Sequence, residues 1–215
     1  MSKIYISKLA NNILQEYLQN NGHIIKQINS KASVDPAIAF HPDIYMCNLG
    51  EKIFHGDPGL LLPDYPGHAI YNGCSTGKFF IHNLKITSPD LMNTVDKLNQ
   101  IKIHVAQGYT KCNCVVIDEN SIITADKGIE KSAKKAGMDV LLIQPAQVNL
   151  KGYRYGFLGG ASGKVGNSII FNGNITHHSD YNIIKNFIKK RDLDLVYFNQ
   201  YPLTDIGSII EDPKS

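Results

Sequence analysis

At 215 residues, 43% hydrophobic and 19% charged, the sequence can build one full core and has the balance of an ordinary globular domain. Its net charge of +3 is too small and too dispersed to mark a nucleic-acid surface. No apolar run approaches the roughly 18 residues of a membrane span. The start, Met1 to Lys8, carries no apolar signal core. A cytoplasmic protein is expected, with Cys47, Cys74, Cys112 and Cys114 as reduced thiols.

In chain order, Lys3 to Ile6 reads as a strand, 7–20 as a helix and His23 to Ile28 as a second strand. Asp43 to Cys47 and Lys52 to His55 make a hairpin around Leu49-Gly50-Glu51. The stretch from Gly56 to Gly67 is too rich in proline and glycine for a good helix, and His68 to Tyr71 would be the strand after it. Lys78 to Ile81 and Leu84 to Thr87 then read as two strands. Ser88-Pro89-Asp90 supplies an N-cap, a first-turn proline and early negative charge for a helix that leads to a strand over Ile101 to Val105.

The phrase then repeats. Cys112 to Ile117 is a strand, Asp118-Glu119-Asn120 a turn and Ser121 to Thr124 a strand. A helix over 126–136 stops at Gly137, and Val140 to Ile143 is a buried strand. After an insertion from Gln144 to Val165, Asn167 to Phe171 is a strand and Asn172-Gly173-Asn174 a hairpin signal. Ile175-Thr176, a helix over 179–191 from Ser179, and a strand from Leu195 to Phe198 follow. Asp205 to Ile210 is a first strand with no unit behind it, whereas the chain's opening is a unit lacking its first strand. Aligning first strands on their turns puts Tyr45, Lys78, Cys114, Ser168 and Ser208 in one column. The expectation is one domain over 1–215, an α/β fold of five ββαβ units closed through the two termini, with the second unit degenerate.

Five such units resemble the five-bladed α/β-propeller of the penteins, the superfamily of guanidino-group-modifying enzymes. The phrases Gly108 to Asn113, Gly156 to Gly163 and Asp205-Ile206-Gly207-Ser208 are also similar to an uncharacterised bacterial branch near it. The resemblance implies a site on the pseudo-fivefold axis, where a thiolate attacks an amidine carbon, an imidazole moves protons and carboxylates hold the flat cation. The resemblance also implies a cysteine on the closing strand, where this sequence has Ser208. The His-x-Asp-Glu and Glu-Gly-Gly-Asp phrases of the superfamily are missing, so no catalytic residue carries over by position.

A rearranged site is expected instead. Cys112 or Cys114, alternating onto one face of a strand, is the candidate nucleophile and His41 the candidate base. Asp43 and Asp205 are candidate cation-binding carboxylates, and Asn113, Ser162 and Ser208 complete the substrate-binding set. The bland alternative makes the cysteines and serines small residues packed where strands crowd. The two functional readings are a cysteine-dependent hydrolase or transferase acting on a guanidino or amidino group, and a catalytically silent pentein-like binding protein lacking the closing-strand cysteine. A small-molecule ligand is the expected partner. No cofactor, metal, nucleic acid or membrane is expected: Cys112 and Cys114 lack a second pair at zinc-ribbon spacing, and the two Gly-Lys sequences fail the phosphate-loop pattern. Tyr65, Tyr71, Tyr109, Tyr153, Tyr155 and Tyr201, at strand ends, are candidates for a pocket rim.

Overall fold

The computed structural model describes residues 2–29 and 33–212. The chain opens with β1 (Lys3–Ser7), α1 (Asn12–Asn20) and β2 (Ile24–Ile28). A single helical turn, α2 (Pro42–Tyr45), runs into β3 (Met46–Asn48), which pairs with β4 (Ile53–His55). Next come β5 (Cys74–Ser75), β6 (Phe79–His82), α3 (Pro89–Lys97) and β7 (Ile101–His104). A second single turn, α4 (Thr110–Asn113), leads into β8 (Cys114–Asp118), β9 (Ser121–Thr124), α5 (Lys127–Lys135) and β10 (Asp139–Leu142). The last stretch holds β11 (Ser162–Val165), β12 (Ser168–Phe171), α6 (Tyr181–Lys189), β13 (Asp194–Val196) and β14 (Ile210–Asp212). Among the described residues, no helix is long and apolar enough to cross a membrane.

The described strands form five small sheets. In three of them an antiparallel hairpin is followed by a helical crossover to a parallel third strand: β5-β6-β7, β8-β9-β10 and β11-β12-β13. In a fourth, β1 pairs antiparallel with β14 from the other end of the chain and parallel with β2. The β3-β4 sheet has no third strand, and the proline-rich segment behind it makes only a 3-10 turn over Pro58–Leu60. His68 to Tyr71, expected as its last strand, is turn instead.

Each longer helix buries one stripe. Leu14 and Leu18 of α1, Leu91 and Val95 of α3, Ile129 and Ala133 of α5, and Ile184 and Ile188 of α6 lie on the inner face at i and i+4. Burying such a pair contributes roughly 3–5 kcal/mol before chain entropy is counted. Asp126 caps α5 by accepting from the N–H groups of Gly128 and Ile129 at 2.7 and 2.9 Å. Ser88 is the N-cap residue of α3, with Pro89 behind it, but its side chain makes no capping bond. The last helix begins at Tyr181 after Asp180, not at Ser179.

Two units are shifted by one strand from the sequence reading. The first strand of the third unit is Cys74–Ser75, and Phe79–His82 is its second. Likewise Ser162–Val165 precedes Ser168–Phe171, so Ser168 opens the hairpin's second strand and Lys78 lies in the turn just ahead of one, and neither belongs to the first-strand column. Leu84 to Thr87 and Ile175-Thr176 are turns before helices. The cause is local: the strand at Ser162 contains Gly163-Lys164, which reads as loop. A Cβ on Gly163 would sit 2.0 Å from the Ile209 carbonyl oxygen. The glycine is there because the segment ahead of β14 passes directly against it.

Candidate functional site

The site grows out of the turns that precede the first strands. His41 and Asp43 lie at α2, just ahead of β3; Asn72 just ahead of β5; Cys112 in α4, ahead of β8; Gly160 ahead of β11; and Asp205 and Ser208 ahead of β14. All five sheets send this part of their chain to one place, and hydrogen bonds tie the pieces together.

Asn72 is the organiser. A single turn of helix leaves its N–H groups without intrahelical partners. The Asn72 Oδ1 accepts from the N–H groups of Lys111 and Cys112 at 3.0 and 3.2 Å. Its Nδ2 donates to the Asp43 carbonyl at 3.1 Å and to Cys112 Sγ at 3.3 Å. One amide therefore fixes both helical turns and the thiol between them. The Gly160 N–H donates to the Cys112 carbonyl at 2.8 Å, and the Gly160 carbonyl accepts from the N–H groups of Ile206 and Ser208.

Asp43 is completely buried, and two groups donate to its Oδ2: Cys112 Sγ at 3.1 Å and Ser208 Oγ at 2.7 Å. Its Oδ1 has no partner among the described residues. Burial pushes this carboxyl up, with the neighbouring His41 working against that. Burial, helped by the Asp43 and Asp205 carboxylates, pushes the Cys112 thiol well up. The pair thus holds a thiol proton in its resting state, shared toward Asp43.

Asp205 is held as a carboxylate-shaped cradle filler. Its Oδ1 accepts from Gly207 N–H and its Oδ2 from Phe157 N–H, both at 2.9 Å. A Cβ on Gly160 would lie 2.1 Å from that Oδ1, so only glycine leaves room. Burial raises Asp205 to about 6. His41 Nδ1 lies 3.8 Å from Asp205 Oδ1, too far for a hydrogen bond, and has no partner among the described residues. Burial lowers His41, so its imidazole is neutral near pH 7, against the pull of Asp43. Ser208 adopts φ 75° without being glycine, a strain held by its bonds to Asp43 and the loop.

Cys112, His41 and Asp205 line one cavity of about 290 Å3. Ile38, Ile44, Leu150 and Phe157 supply its apolar wall, and Tyr109, Tyr153, Tyr155 and Arg154 its remaining lining. The insertion after β10 contributes much of that wall. Tyr109 is itself placed by His68: the imidazole Nδ1 donates to the Pro63 carbonyl at 2.9 Å, leaving Nε2 to accept from the Tyr109 hydroxyl. Of the other tyrosines singled out, Tyr71 is buried in the core and Tyr201 stacks on Phe198.

The remaining candidates lie elsewhere. Asp43 and Ser208 sit behind Cys112, fully buried. Cys114 is on β8, where its thiol meets Cys74 within a cluster of Phe79, Ile122 and Val140. The expected alternation of Cys112 and Cys114 on one strand does not occur, because the strand begins only at Cys114 and a helical turn carries Cys112. Asn113 donates to the Tyr109 carbonyl at 2.9 Å and lines a neighbouring cavity of about 490 Å3. Ser162 bonds the Gly159 carbonyl at 3.3 Å and lines a third cavity, of about 250 Å3. Sequence reasoning missed Asn72, Lys111 and the pairing of Tyr109 with His68. Asn72-Gly73 ahead of Cys74 was the available signal, hidden because the strand at Cys74 was not recognised.

Among solved structures, the C. jejuni agmatine deiminase matches at a TM-score of 0.55 and 12% identity, over 99% of this chain and 93% of that one. A substrate-bound variant of C. jejuni agmatine deiminase matches at a TM-score of 0.47 and 12% identity, over 67% of this chain and 55% of that chain. At such identity the likeness is one of fold, and the fold is pentein-like. No curated protein matches the chain. A family model matches residues 59–210, a range that includes Asn72, Cys112, Asp205 and Ser208 but begins after His41 and Asp43. The chain belongs to this family of unknown function, DUF6873.

Proposed function

We infer that the chain is a single five-bladed pentein domain, closed by the β1–β14 pair, whose axial pocket takes a guanidino or amidino group and passes it through Cys112. One observation carries the reading: Cys112, His41 and Asp205 together line one small, largely apolar and aromatic cavity, and the buried Nδ1 of His41 has no partner among the described residues. An apolar pocket with few convergent polar groups is how small ligands are held. A flat cation is the ligand that suits Asp205, since its arrival favours the ionised carboxylate that burial disfavours.

The chemistry balances without a redox partner. Cys112 Sγ forms a bond to the central carbon of the amidinium group, and its proton passes to Asp43. The carbon–nitrogen bond to the leaving amine breaks, and that amine takes up the proton the thiol gave to Asp43, which the neutral His41 can relay by accepting a proton on one ring nitrogen as it releases one from the other. Water then attacks the same carbon and the sulfur leaves with its proton, giving a ureido or amide product. An amine in place of that water makes the reaction a transfer. Four unpaired cysteines fit a reducing, cytoplasmic setting.

The second reading, a binding protein without turnover, draws on the same pocket. It is favoured by the raised Cys112 thiol and by serine at position 208. Assaying ammonia and the ureido or amide product from guanidine, agmatine, arginine and benzamidine separates the two. Turnover lost in Cys112→Ala supports the enzyme. Saturable binding by calorimetry with no product from any compound supports the silent pentein. Neither turnover nor binding contradicts both.

A further inference from the structure

Cys112 and Lys111 are neighbours on one helical turn yet line two different cavities. Cys112 faces the cavity shared with His41 and Asp205, whereas Lys111 faces the 250 Å3 cavity beside Asn48, Ser75 and Lys164. From there the Lys111 side chain reaches inward, and its Nζ donates to Ser208 Oγ at 3.1 Å. Ser208 Oγ in turn donates to Asp43 Oδ2, the oxygen that receives the Cys112 thiol. An unbroken line of contacts therefore runs from the second cavity to the thiol: Lys111, Ser208, Asp43, Cys112.

The direction of each bond follows from its donor. An ammonium can only donate, so the Ser208 oxygen accepts from Lys111 and must send its single proton elsewhere. Two acceptors are in reach, Asp43 Oδ2 at 2.7 Å and the Gly159 carbonyl at 3.1 Å. The shorter bond, to a carboxylate, is the stronger one. We propose that Lys111 is a positioning residue for the Cys112 thiol: its ammonium orients Ser208, and Ser208 holds Asp43 as the acceptor of the thiol proton. The proposal rests on Cys112 being the reactive thiol of the pocket.

The charges around Asp43 make the prediction one-sided. Facing it are Cys112 and Asn72 from the β5 and β8 approaches, His41 from its own turn, and Asp205, Ser208 and Lys111 across the axis. His41 is neutral through burial, so Lys111 is the standing cation of this set. Its charge opposes the proton-holding tendency of Asp43 and of Asp205. Without it the Asp43–Cys112 pair keeps its protons to higher pH. Because Lys111 approaches from a cavity the substrate does not fill, this control persists when the pocket is occupied.

The test is the pH profile of iodoacetamide alkylation at Cys112, followed by peptide mass mapping, in the wild-type chain and in Lys111→Met, Lys111→Arg and Ser208→Ala. Lys111→Met is expected to move the rise of the profile up by about one pH unit, a tenfold slower reaction on the limb below it. Lys111→Arg restores most of the shift, because it keeps a donor and a charge. Ser208→Ala shifts the profile the same way, by less. A Lys111→Met profile that overlays the wild type, with Cys112 labelled in both, overturns the proposal and leaves the pocket reading standing. If Lys111→Met does not fold, an unshifted Ser208→Ala profile overturns it. A wild-type Cys112 that resists labelling at every pH overturns the proposal together with the reading beneath it.

Discussion

Cys112 and Cys114 stand two residues apart and live in different chemistry. Cys112 belongs to a single helical turn, touches Asn72 and Asp43, and opens on a cavity. Cys114 begins a strand, meets Cys74 and is sealed among Phe79, Ile122 and Val140. Both thiols are buried and both are pushed up in pKa, so neither burial nor titration tells them apart. The difference is made by the backbone. A helical turn that ends at Asn113 aims one cysteine at the cavity, and the strand that follows aims the other at the sheet's own core.

The sharpest way to break this contrast is to delete each thiol. Cys112→Ala should abolish turnover of any guanidino substrate, at least about a thousandfold, as removal of a nucleophile does. Cys114→Ala should leave turnover within about threefold of the wild type and lower stability by about 1 kcal/mol through a small cavity. Equal losses from the two substitutions, measured as initial rates at saturating substrate, would end the distinction.

A second test concerns the Asp205 side of the pocket. A free carboxyl titrates near 3.8, and burial moves Asp205 to about 6. The folded chain therefore binds more protons than the unfolded one between those values, and stability falls as pH rises through that window. Urea unfolding should show wild type losing on the order of 3 kcal/mol relative to Asp205→Asn between about pH 3 and about pH 7. No pH-dependent gap between the two chains would mean that Asp205 titrates normally. A smaller effect is expected from Gly160→Ala, whose Cβ would collide with Asp205 Oδ1. Thermal unfolding should register a loss of about 2 kcal/mol, and alkylation of Cys112 should change because the Gly160 N–H holds that residue's carbonyl.

Much of this architecture is legible in the sequence, because its signals are local. Asp126 and Gly137 bracket α5, apolar residues at i and i+4 mark the helices, and the complementary half-units at the two ends anticipate the β1–β14 pair. The strands at Cys74 and Ser162 escape because two residues, or a strand holding Gly163-Lys164, carry no period-two pattern. Once those strands are missed, the alignment column falls at the start of the hairpins' second strands and the site's true rule is lost. That rule places the candidate groups in the turns before the first strands and not on the strands. His41, Asp43, Cys112 and Asp205 were accessible to sequence reasoning as residue types suited to the chemistry. Asn72 and Lys111 were not, since an asparagine that caps a four-residue turn and a lysine that points inward leave no trace in composition or spacing.

The most direct measurement sets a cation against its neutral twin. The native chain would be treated near pH 7.5 with chloroacetamidine and, separately, with chloroacetamide, and the adducts mapped by peptide mass spectrometry. Alkylation is expected at Cys112 and not at Cys114, with the amidinium reagent at least about tenfold faster, as a carboxylate-lined pocket requires. Equal rates for the two reagents, or an adduct on Cys114 with Cys112 untouched, would contradict this.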